Sequence, residues 1–353
     1  MLLFTPKYVW PMTTTTDFAK HLSRFLTEYL PHERNMSNNT LSSYRDTFVQ
    51  YIDFMKNEKN IPIDRLSLKH LTRDNALHFM KWILDNRGCS PATRNYRLAA
   101  IHSFVSYLQY GVIDNAEEWQ KVLSIKAMRS ESKALTYLST EGIRLLLAQP
   151  DTTTSQGRRH LAILSLMYDT GARVQEIADL TVESVRIDYE PYSIRLFGKG
   201  RKSRIVPMVK EQTEILKQYM AENGLNDSKM YASPLFFNNR HEKLTREGIS
   251  YILKTYADLA RKESPELIPQ KISCHSLRHS KAMHLIQSGV NLVYIRDILG
   301  HVSIQTTDIY ARADSKAKRE ALEKAYTNLN PSTPSNREWE RNKNLREWLK
   351  GLN

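Results

Sequence analysis

Six polar side chains in the second half of the chain combine a candidate nucleophile with basic groups. One is a tyrosine, and two of the others form an HxxR pair, which places both on one face of a helix. The six residues are Arg173, Lys199, His275, Arg278, His301 and Tyr310. Each of them alone has an ordinary interpretation as a surface, capping or core residue. Only the six together indicate a chemical function.

The set suits the cleavage of a phosphodiester without water as the nucleophile. Such a reaction needs an attacking group, positive charge around the pentavalent phosphorus and an acid for the leaving oxygen. Arginine binds phosphate oxygens with a planar fork that stays protonated, lysine can donate a proton, and tyrosine can attack when a base and cations favour its phenolate. Lys202 lies three residues after Lys199 and is a second candidate for the acid.

The bulk composition indicates a polyanionic partner. The chain of 353 residues has 51 basic and 38 acidic side chains and a formal net charge of +13. Nucleic acid and an anionic membrane both fit that charge, but no apolar run approaches the roughly 18 residues that span a bilayer. The two cysteines, Cys89 and Cys274, form no CxxC pair. We therefore expect no disulfide framework and a reducing, cytoplasmic setting.

Helical periodicity dominates the first third of the chain. Apolar residues recur at helical spacing over 17–30, 40–56 and 73–86, and Ser90 followed by Pro91 is typical of the start of a fourth helix. These patterns predict a helical domain over 17–123, preceded by an N-terminal extension over 1–16. The polar, aperiodic stretch 124–136 is interpreted as a linker.

A second domain is predicted over 137–330, and most of it is also helical. Ser139 is a candidate cap for its first helix, and Gly171 follows a helix over 158–169. Segments 192–197 and 203–208 flank GKGRK, a pattern typical of a β-hairpin. Further helices are predicted over 210–222, 246–261, 276–288 and 291–299. A tail over 331–353 ends in a short helix, so the predicted fold is mainly α with a small β-sheet.

Four segments resemble, in order, the signature boxes of the tyrosine recombinase and phage integrase family: GARVQEIADL, GKGRKSRIVP, CHSLRHSKA and LGHVSIQTTDIY. In the first domain, NNTLSSYRDTFVQYIDF and SPATRNYRLAAIHSFVSYL resemble the family's SAM-like core-binding domain. The resemblance runs from residue 17 to 326. It implies a Xer-like site-specific recombinase, in which a core-binding domain and a catalytic domain clamp a DNA duplex.

The resemblance implies a role for each matching position. Tyr310 would attack phosphorus, leaving a 3′-phosphotyrosyl bond and a free 5′-hydroxyl. Lys199 would be the general acid for the 5′-oxygen, and His275 would assist proton transfer from Tyr310. Because the phosphoester energy is kept in the covalent bond, no ATP is expected. Because the nucleophile is a side chain and the basic residues supply the positive charge, no metal ion or other cofactor is expected.

The remaining positions would bind the phosphate. Arg173 and Arg278 would hold its nonbridging oxygens, and His301 would donate a hydrogen bond to one of them. Glu176, one turn after Arg173, matches the family's acidic residue that orients the site.

The resemblance also implies partners. Double-stranded DNA would be held by basic side chains and helix starts in both domains, and our candidate contacts are Thr40, Arg94, Arg97 and Arg201. Four protomers would assemble on two DNA sites, exchanging either the segment KAKREALEKAY or the tail helix that ends near Leu352. Accessory proteins are further candidate partners, and association with a prokaryotic nucleoid is expected.

Three other functions share some of these features. A type IB topoisomerase uses the same chemistry without a partner site, and a noncatalytic relative would keep the fold for DNA binding. A metallo-nuclease could use His275 and His279, which are four residues apart. Chromosome-dimer resolution, phage integration and transposition of a mobile element all remain open as the biological role.

Overall fold

The structure is a computed structural model of the chain. It describes residues 15–112, 114–129, 135–198, 202–301, 303–313 and 351. Lys199, Arg201 and both segments predicted to be exchanged between protomers lie outside the described residues. The chain divides into two compact units, Met1–Lys133 and Ala134–Asn353. The division falls inside the segment 124–136 that the sequence indicates as a linker.

The first unit is helical. Its helices are α1 (Asp17–Arg24), α2 (Asn38–Glu58), α3 (Arg73–Asp85), α4 (Pro91–Leu108) and α5 (Ala116–Leu123). A π-helical segment, Phe25–Glu33, continues α1, and a 3₁₀ turn spans Leu68–His70. Ser90 caps α4 as predicted, since its side chain accepts a hydrogen bond from the backbone N–H of Thr93. The sequence analysis did not predict α5 as a separate helix.

Aromatic rings form the centre of the first unit. The ring of Phe104 on α4 lies 5.1 Å, between centroids, from those of both Phe25 and Phe48. Trp119 on α5 is fully buried in the same cluster. The π-helical segment contains Pro31, which cannot donate a backbone hydrogen bond, and this accounts for irregular helix geometry at that point.

The second unit combines eight described helices with a small sheet. The helices are α6 (Thr140–Ala148), α7 (Ser155–Thr170), α8 (Val174–Ala178), α9 (Lys210–Glu222), α10 (Arg246–Glu263), α11 (Cys274–Gln287), α12 (Leu292–Leu299) and α13 (Gln305–Ala313). The strands β1 (Val185–Arg186), β2 (Ser193–Phe197) and β3 (Ser203–Pro207) pair antiparallel in that order. Short 3₁₀ turns lie at Val182–Ser184 and Ser228–Met230.

The mainly α fold with a small sheet is confirmed, and the local differences have physical causes. Ser139 caps α6, and Gly171 ends α7 in the left-handed conformation, as the sequence indicates. The helix expected from residue 276 starts two residues earlier, so His275 lies in its first turn. The two-residue strand β1 was not predicted because it is too short to show alternation. The helix α13, QTTDIYARA, was not predicted because it has few apolar residues to mark a helical period.

No helix in the described part of the chain is long and apolar enough to cross a membrane.

Candidate active site

Residues that are far apart in the sequence meet at the C-terminal end of α12. Arg173 is the residue before α8, Arg278 lies in the second turn of α11, His301 follows the end of α12, and Tyr310 lies on α13. These elements surround one point because α11 packs against α7, α12 and α13.

Three arginines hold the end of α12 by its last carbonyl groups. The donors are Arg204 Nε to the oxygen of Ile298 (2.7 Å), Arg278 Nη2 to that of Leu299 (2.7 Å) and Arg173 Nη2 to that of Gly300 (3.4 Å). The last carbonyls of a helix lack partners within the helix and carry partial negative charge, so they attract cations. The three guanidinium groups therefore converge directly before His301.

Glu176 lies at the centre of the arginines and is buried. Its carboxylate accepts hydrogen bonds from the backbone N–H and Nη1 of Arg173, and a bidentate pair from Nη1 and Nη2 of Arg204, at 2.8–2.9 Å. Burial alone would raise the pKa of Glu176, but the hydrogen bonds and charge of Arg204, followed by the bonds of Arg173, hold it below its usual value. Glu176 is therefore ionised and fixes the orientation of both arginines.

Arg204 is a site residue that the sequence analysis missed. Its side chain on β3 is mostly buried against Glu176 and the end of α12. Gly300 leaves the space for it: a Cβ atom there would lie 2.8 Å from Nη1 and 2.9 Å from Cδ of Arg204, and the φ of Gly300 is +66°. A larger residue at position 300 would both strain the backbone and displace Arg204.

Arg278 is buried, with only 3% of its surface exposed. Its Nη1 donates to the carbonyl oxygen of Gly171 at 2.7 Å. Burial, and then the positive charge of Arg173, lower its pKa to about 10. Arg278 thus stays protonated at neutral pH, and it is less screened by water than a surface arginine.

His301 is held against both α13 and Tyr310. Its Nδ1 lies 2.9 Å from Thr307 Oγ1, and its ring stacks on that of Tyr310 with centroids 6.3 Å apart. Burial, then the charges of Arg278, Arg173 and Arg204, lower the pKa of His301 to about 4. The ring is therefore neutral at pH 7. When the hydroxyl of Thr307 donates to Nδ1, the hydrogen lies on Nε2, which can then donate to a ligand.

Tyr310 is buried, and its hydroxyl lies 2.9 Å from Nδ1 of His279. Within the described residues it makes no hydrogen bond to His275, whose ring instead stacks on His279 with centroids 6.2 Å apart. Burial raises the pKa of Tyr310, while Arg278 and Arg173 oppose that rise. The sequence analysis considered His279 only as a metal ligand, although its position one residue after Arg278 already placed it beside the site.

His275 is exposed in the first turn of α11. Partial burial of its ring, then the charges of Arg278 and Arg173, lower its pKa. Among the described residues, no group of three or more His, Cys, Asp or Glu side chains is arranged to hold a metal ion.

The candidate DNA contacts of the first unit are mostly engaged with the protein itself. Thr40 pairs its hydroxyl with that of Ser37 at 3.0 Å. Arg94 is buried, and its Nη1 donates to the carbonyl oxygen of Lys126 at 3.0 Å. Arg97 donates from Nη1 to the carbonyl oxygen of Ser43 at 2.9 Å, which ties α4 to α2. Contact of these residues with DNA stays a prediction.

Comparison with known proteins identifies the family. The phage integrase family matches residues 136–317, and the phage integrase N-terminal SAM-like domain matches residues 22–110. Tyrosine recombinase XerC of Herpetosiphon aurantiacus is 35% identical over 300 residues, which is 84% of this chain and 91% of that protein. Tyrosine recombinase XerD of Halalkalibacterium halodurans is 31% identical over 301 residues, 85% of this chain and 95% of that protein.

The fold is shared with a solved recombinase structure. A crystal structure of the XerH site-specific recombinase, bound to its palindromic difH substrate, aligns with a TM-score of 0.66 over 86% of each chain at 23% identity. The chain belongs to the phage integrase family of tyrosine recombinases, enzymes that break and rejoin DNA.

Proposed function

We propose that this chain cuts and rejoins DNA at specific sites through a 3′-phosphotyrosyl bond to Tyr310. The observation that carries the proposal is the convergence of Arg173, Arg278 and His301 beside Tyr310, from segments up to 137 residues apart. Each group has a place in phosphoryl transfer, and a merely structural arrangement would not require a neutral histidine and two arginines around a tyrosine.

The arginines supply the charge that a phosphate needs. Arg173, Arg204 and Arg278 carry three positive charges, and Glu176 offsets one of them. The site keeps two positive charges in excess, and the burial of Arg278 strengthens its attraction for the pentavalent phosphorane. Arg173 is the more accessible of the two phosphate-binding candidates, because a third of its side chain is exposed. Arg173 would therefore be open to the phosphate from solvent, whereas Arg278 would bind it inside the site.

The chemical step exchanges one phosphoester for another. The Oη atom of Tyr310 bonds to phosphorus and the bond to the 5′-oxygen breaks, so the Tyr310 hydroxyl loses a proton and the 5′-oxygen gains one. We assign the second transfer to Lys199, with Lys202 as the alternative, and the hydrogen bond to a nonbridging oxygen to Nε2 of His301. Religation runs the same step in reverse, so no ATP is consumed, and the side-chain nucleophile requires no metal-bound water.

DNA and further copies of the chain are the proposed partners. The net charge of +13 and the solved XerH complex with a similar fold support double-stranded DNA as the substrate. We propose that Thr40 and Arg94, in the first turns of α2 and α4, contact the phosphates together with Arg97 and Arg201. Exchange between two sites needs four protomers, and accessory proteins could select the sites. We propose that the enzyme acts in the cytoplasm, in association with the DNA of a prokaryotic nucleoid.

Trapping the covalent intermediate tests this proposal. A nicked suicide oligonucleotide loses a short fragment after cleavage, so the protein remains attached to DNA. We expect a 3′-linked adduct with the wild-type chain and none with Tyr310→Phe, at nearly unchanged DNA affinity. Tyr168→Phe is the matched control, because Tyr168 is a half-buried tyrosine of the same unit whose hydroxyl also pairs with a histidine. An adduct that persists in Tyr310→Phe contradicts the assignment.

A two-site exchange assay distinguishes a recombinase from a topoisomerase. We expect strand exchange between two DNA sites that depends on Tyr310. Supercoil relaxation without any exchange product would instead assign the same chemistry to a topoisomerase.

A further inference from the structure

His279 is the residue in hydrogen-bond contact with the reacting atom of the nucleophile. Its Nδ1 lies 2.9 Å from Oη of Tyr310, and the two ring centroids are 5.6 Å apart. Both side chains are largely removed from water, and both positions are fixed: His279 by α11, which packs on α7, and Tyr310 by α13. The contact is thus part of the packed site.

The electrostatic surroundings keep His279 in the form that accepts a proton. Burial, then the charges of His275 and Arg278, lower the pKa of His279, so the ring is neutral at pH 7. With its hydrogen on Nε2, the free lone pair on Nδ1 faces the hydroxyl of Tyr310. Burial of Tyr310 raises its own pKa, so the phenol does not ionise unaided at neutral pH. Attack by Tyr310 at neutral pH therefore needs a proton acceptor in contact with its hydroxyl.

We propose that His279 is the general base that removes the proton of Tyr310 during strand cleavage, in place of His275. This inference rests on the proposed function of Tyr310. As Oη bonds to phosphorus, the O–H bond breaks and the proton passes to Nδ1, giving an imidazolium; the 5′-oxygen takes its proton from the separate acid. In religation the imidazolium returns the proton to Tyr310 as it leaves phosphorus.

The position of His275 agrees with this division of roles. His275 is exposed, and its ring stacks on that of His279. Among the described residues, the hydroxyl of Tyr310 is paired with His279 and not with His275. His275 is therefore available to phosphate or solvent, whereas His279 is available to Tyr310.

The test compares two substitutions that separate basicity from placement. Asparagine at 279 keeps an acceptor near the position of Nδ1 but cannot take a proton, and alanine removes both. The measurement is single-turnover cleavage of the nicked oligonucleotide by the full chain at saturating DNA. We expect both His279→Asn and His279→Ala to lose about 100-fold or more in rate at neutral pH, with DNA affinity nearly unchanged.

The chain offers a matched control on the same helix. His284 on α11 has its Nδ1 2.8 Å from the hydroxyl of Tyr168, so it forms an equivalent histidine–tyrosine pair away from the site. His284→Asn removes a ring of the same kind and burial from the same helix. We expect it to cleave at nearly the wild-type rate, which excludes damage to α11 as the cause of the loss in the His279 variants.

The pH dependence separates a base from a structural residue. The groups that face His279 are His275 and Arg278 on its own helix, Tyr310 on α13 and His301 before α13. In the wild type we expect the rate to rise as His279 loses its proton and to level off by about pH 7. In His279→Asn that limb should vanish, and the rate should climb with pH as Tyr310 ionises to solvent.

Two results would overturn the proposal. One is that the His279→Asn variant cleaves DNA at the wild-type rate with an unchanged pH profile. His279 would then only position Tyr310 and would not remove its proton. The other is that the His279→Ala variant cleaves DNA faster than the wild type. The hydrogen bond from Tyr310 to His279 would then hold Tyr310 back from its attack on phosphorus. Failure of the proposed function is distinguishable, because then the wild-type chain itself would form no adduct at Tyr310.

Discussion

Glu176→Gln should weaken the catalytic unit because the carboxylate joins two arginines in a buried place. Each carboxylate oxygen accepts one hydrogen bond from Arg173 and one from Arg204. Glutamine replaces one of these oxygens with an NH₂ group that faces donors, so two bonds are lost in either orientation of the amide.

The size of the effect follows from the number and kind of these bonds. A hydrogen bond to a charged group contributes roughly 1.5–3 kcal/mol, and removing one partner of a buried ion pair costs about 3–5 kcal/mol. Two lost bonds would contribute about 3–6 kcal/mol, and with the cost of a broken buried ion pair we expect a loss of about 3–5 kcal/mol in the free energy of unfolding of the second unit.

Hydrogen exchange measured by mass spectrometry on the full chain reports each unit separately. The most protected peptides of α7 and β3 should exchange about a hundredfold to a few thousandfold faster in Glu176→Gln, since each 1.4 kcal/mol corresponds to about tenfold. Peptides from α2 and α4 in the first unit serve as an internal reference and should not change. Glu214→Gln is the matched control, because its ion pair with Lys217 is exposed and should contribute less than about 1 kcal/mol.

The sign of the pH dependence gives a second check. The pKa of Glu176 is lower in the folded chain than in the unfolded chain, so its stabilisation is present above about pH 4.3 and is lost as pH falls through the folded pKa. The difference between wild type and Glu176→Gln should therefore shrink on acidification below that pH. A loss at neutral pH no larger than that of Glu214→Gln would refute the assignment of Glu176 as the centre of the arginine network.

Three further predictions concern the chemistry. Lys199→Ala should slow cleavage strongly on ordinary DNA but much less on a substrate with a 5′-thiolate leaving group, because a low-pKa leaving group needs no acid; rescue of Lys202→Ala alone would reverse the two roles. Cleavage of the nicked oligonucleotide should proceed at an equal rate in excess chelator, whereas a loss restored by Mg²⁺ or Zn²⁺ would favour a metal-dependent nuclease. Thr307→Val should reduce the cleavage rate about tenfold at unchanged DNA affinity, because His301 loses the hydroxyl that fixes its tautomer; an unchanged rate would show that the tautomer needs no partner.

The parts of the fold that the sequence predicts depend on local signals. Ser90 before Pro91 marks a helix start, and Gly171 marks a helix end, because each of these residues acts within one turn of its own position. The stretch GKGRK between the two hairpin segments is likewise a local signal. The order of the four boxes placed the candidate nucleophile and the arginines in one unit. The structure brings these residues together at the end of α12.

The parts that escaped prediction depend on contacts between distant segments. In the sequence, Arg204 is one more basic residue of a hairpin. In the structure, Gly300, almost a hundred residues later, leaves the space in which Arg204 pairs with Glu176. The pairing of His279 with Tyr310 joins two helices whose packing no short motif specifies. Spacing along α11 shows that His275 and His279 share a face, but only the packed structure shows which of them contacts the tyrosine.

Locating the covalent bond tests the phosphotyrosine chemistry most directly. The wild-type chain is trapped on the nicked oligonucleotide, digested with protease and nuclease, and the peptide that carries the residual nucleotide is sequenced by mass spectrometry. With trypsin as the protease, we expect the nucleotide, joined through its 3′-phosphate, on the peptide DILGHVSIQTTDIYAR and on Tyr310 within it. A nucleotide on Tyr326, or cleavage products with no protein attached, would contradict the assignment of Tyr310 as the nucleophile.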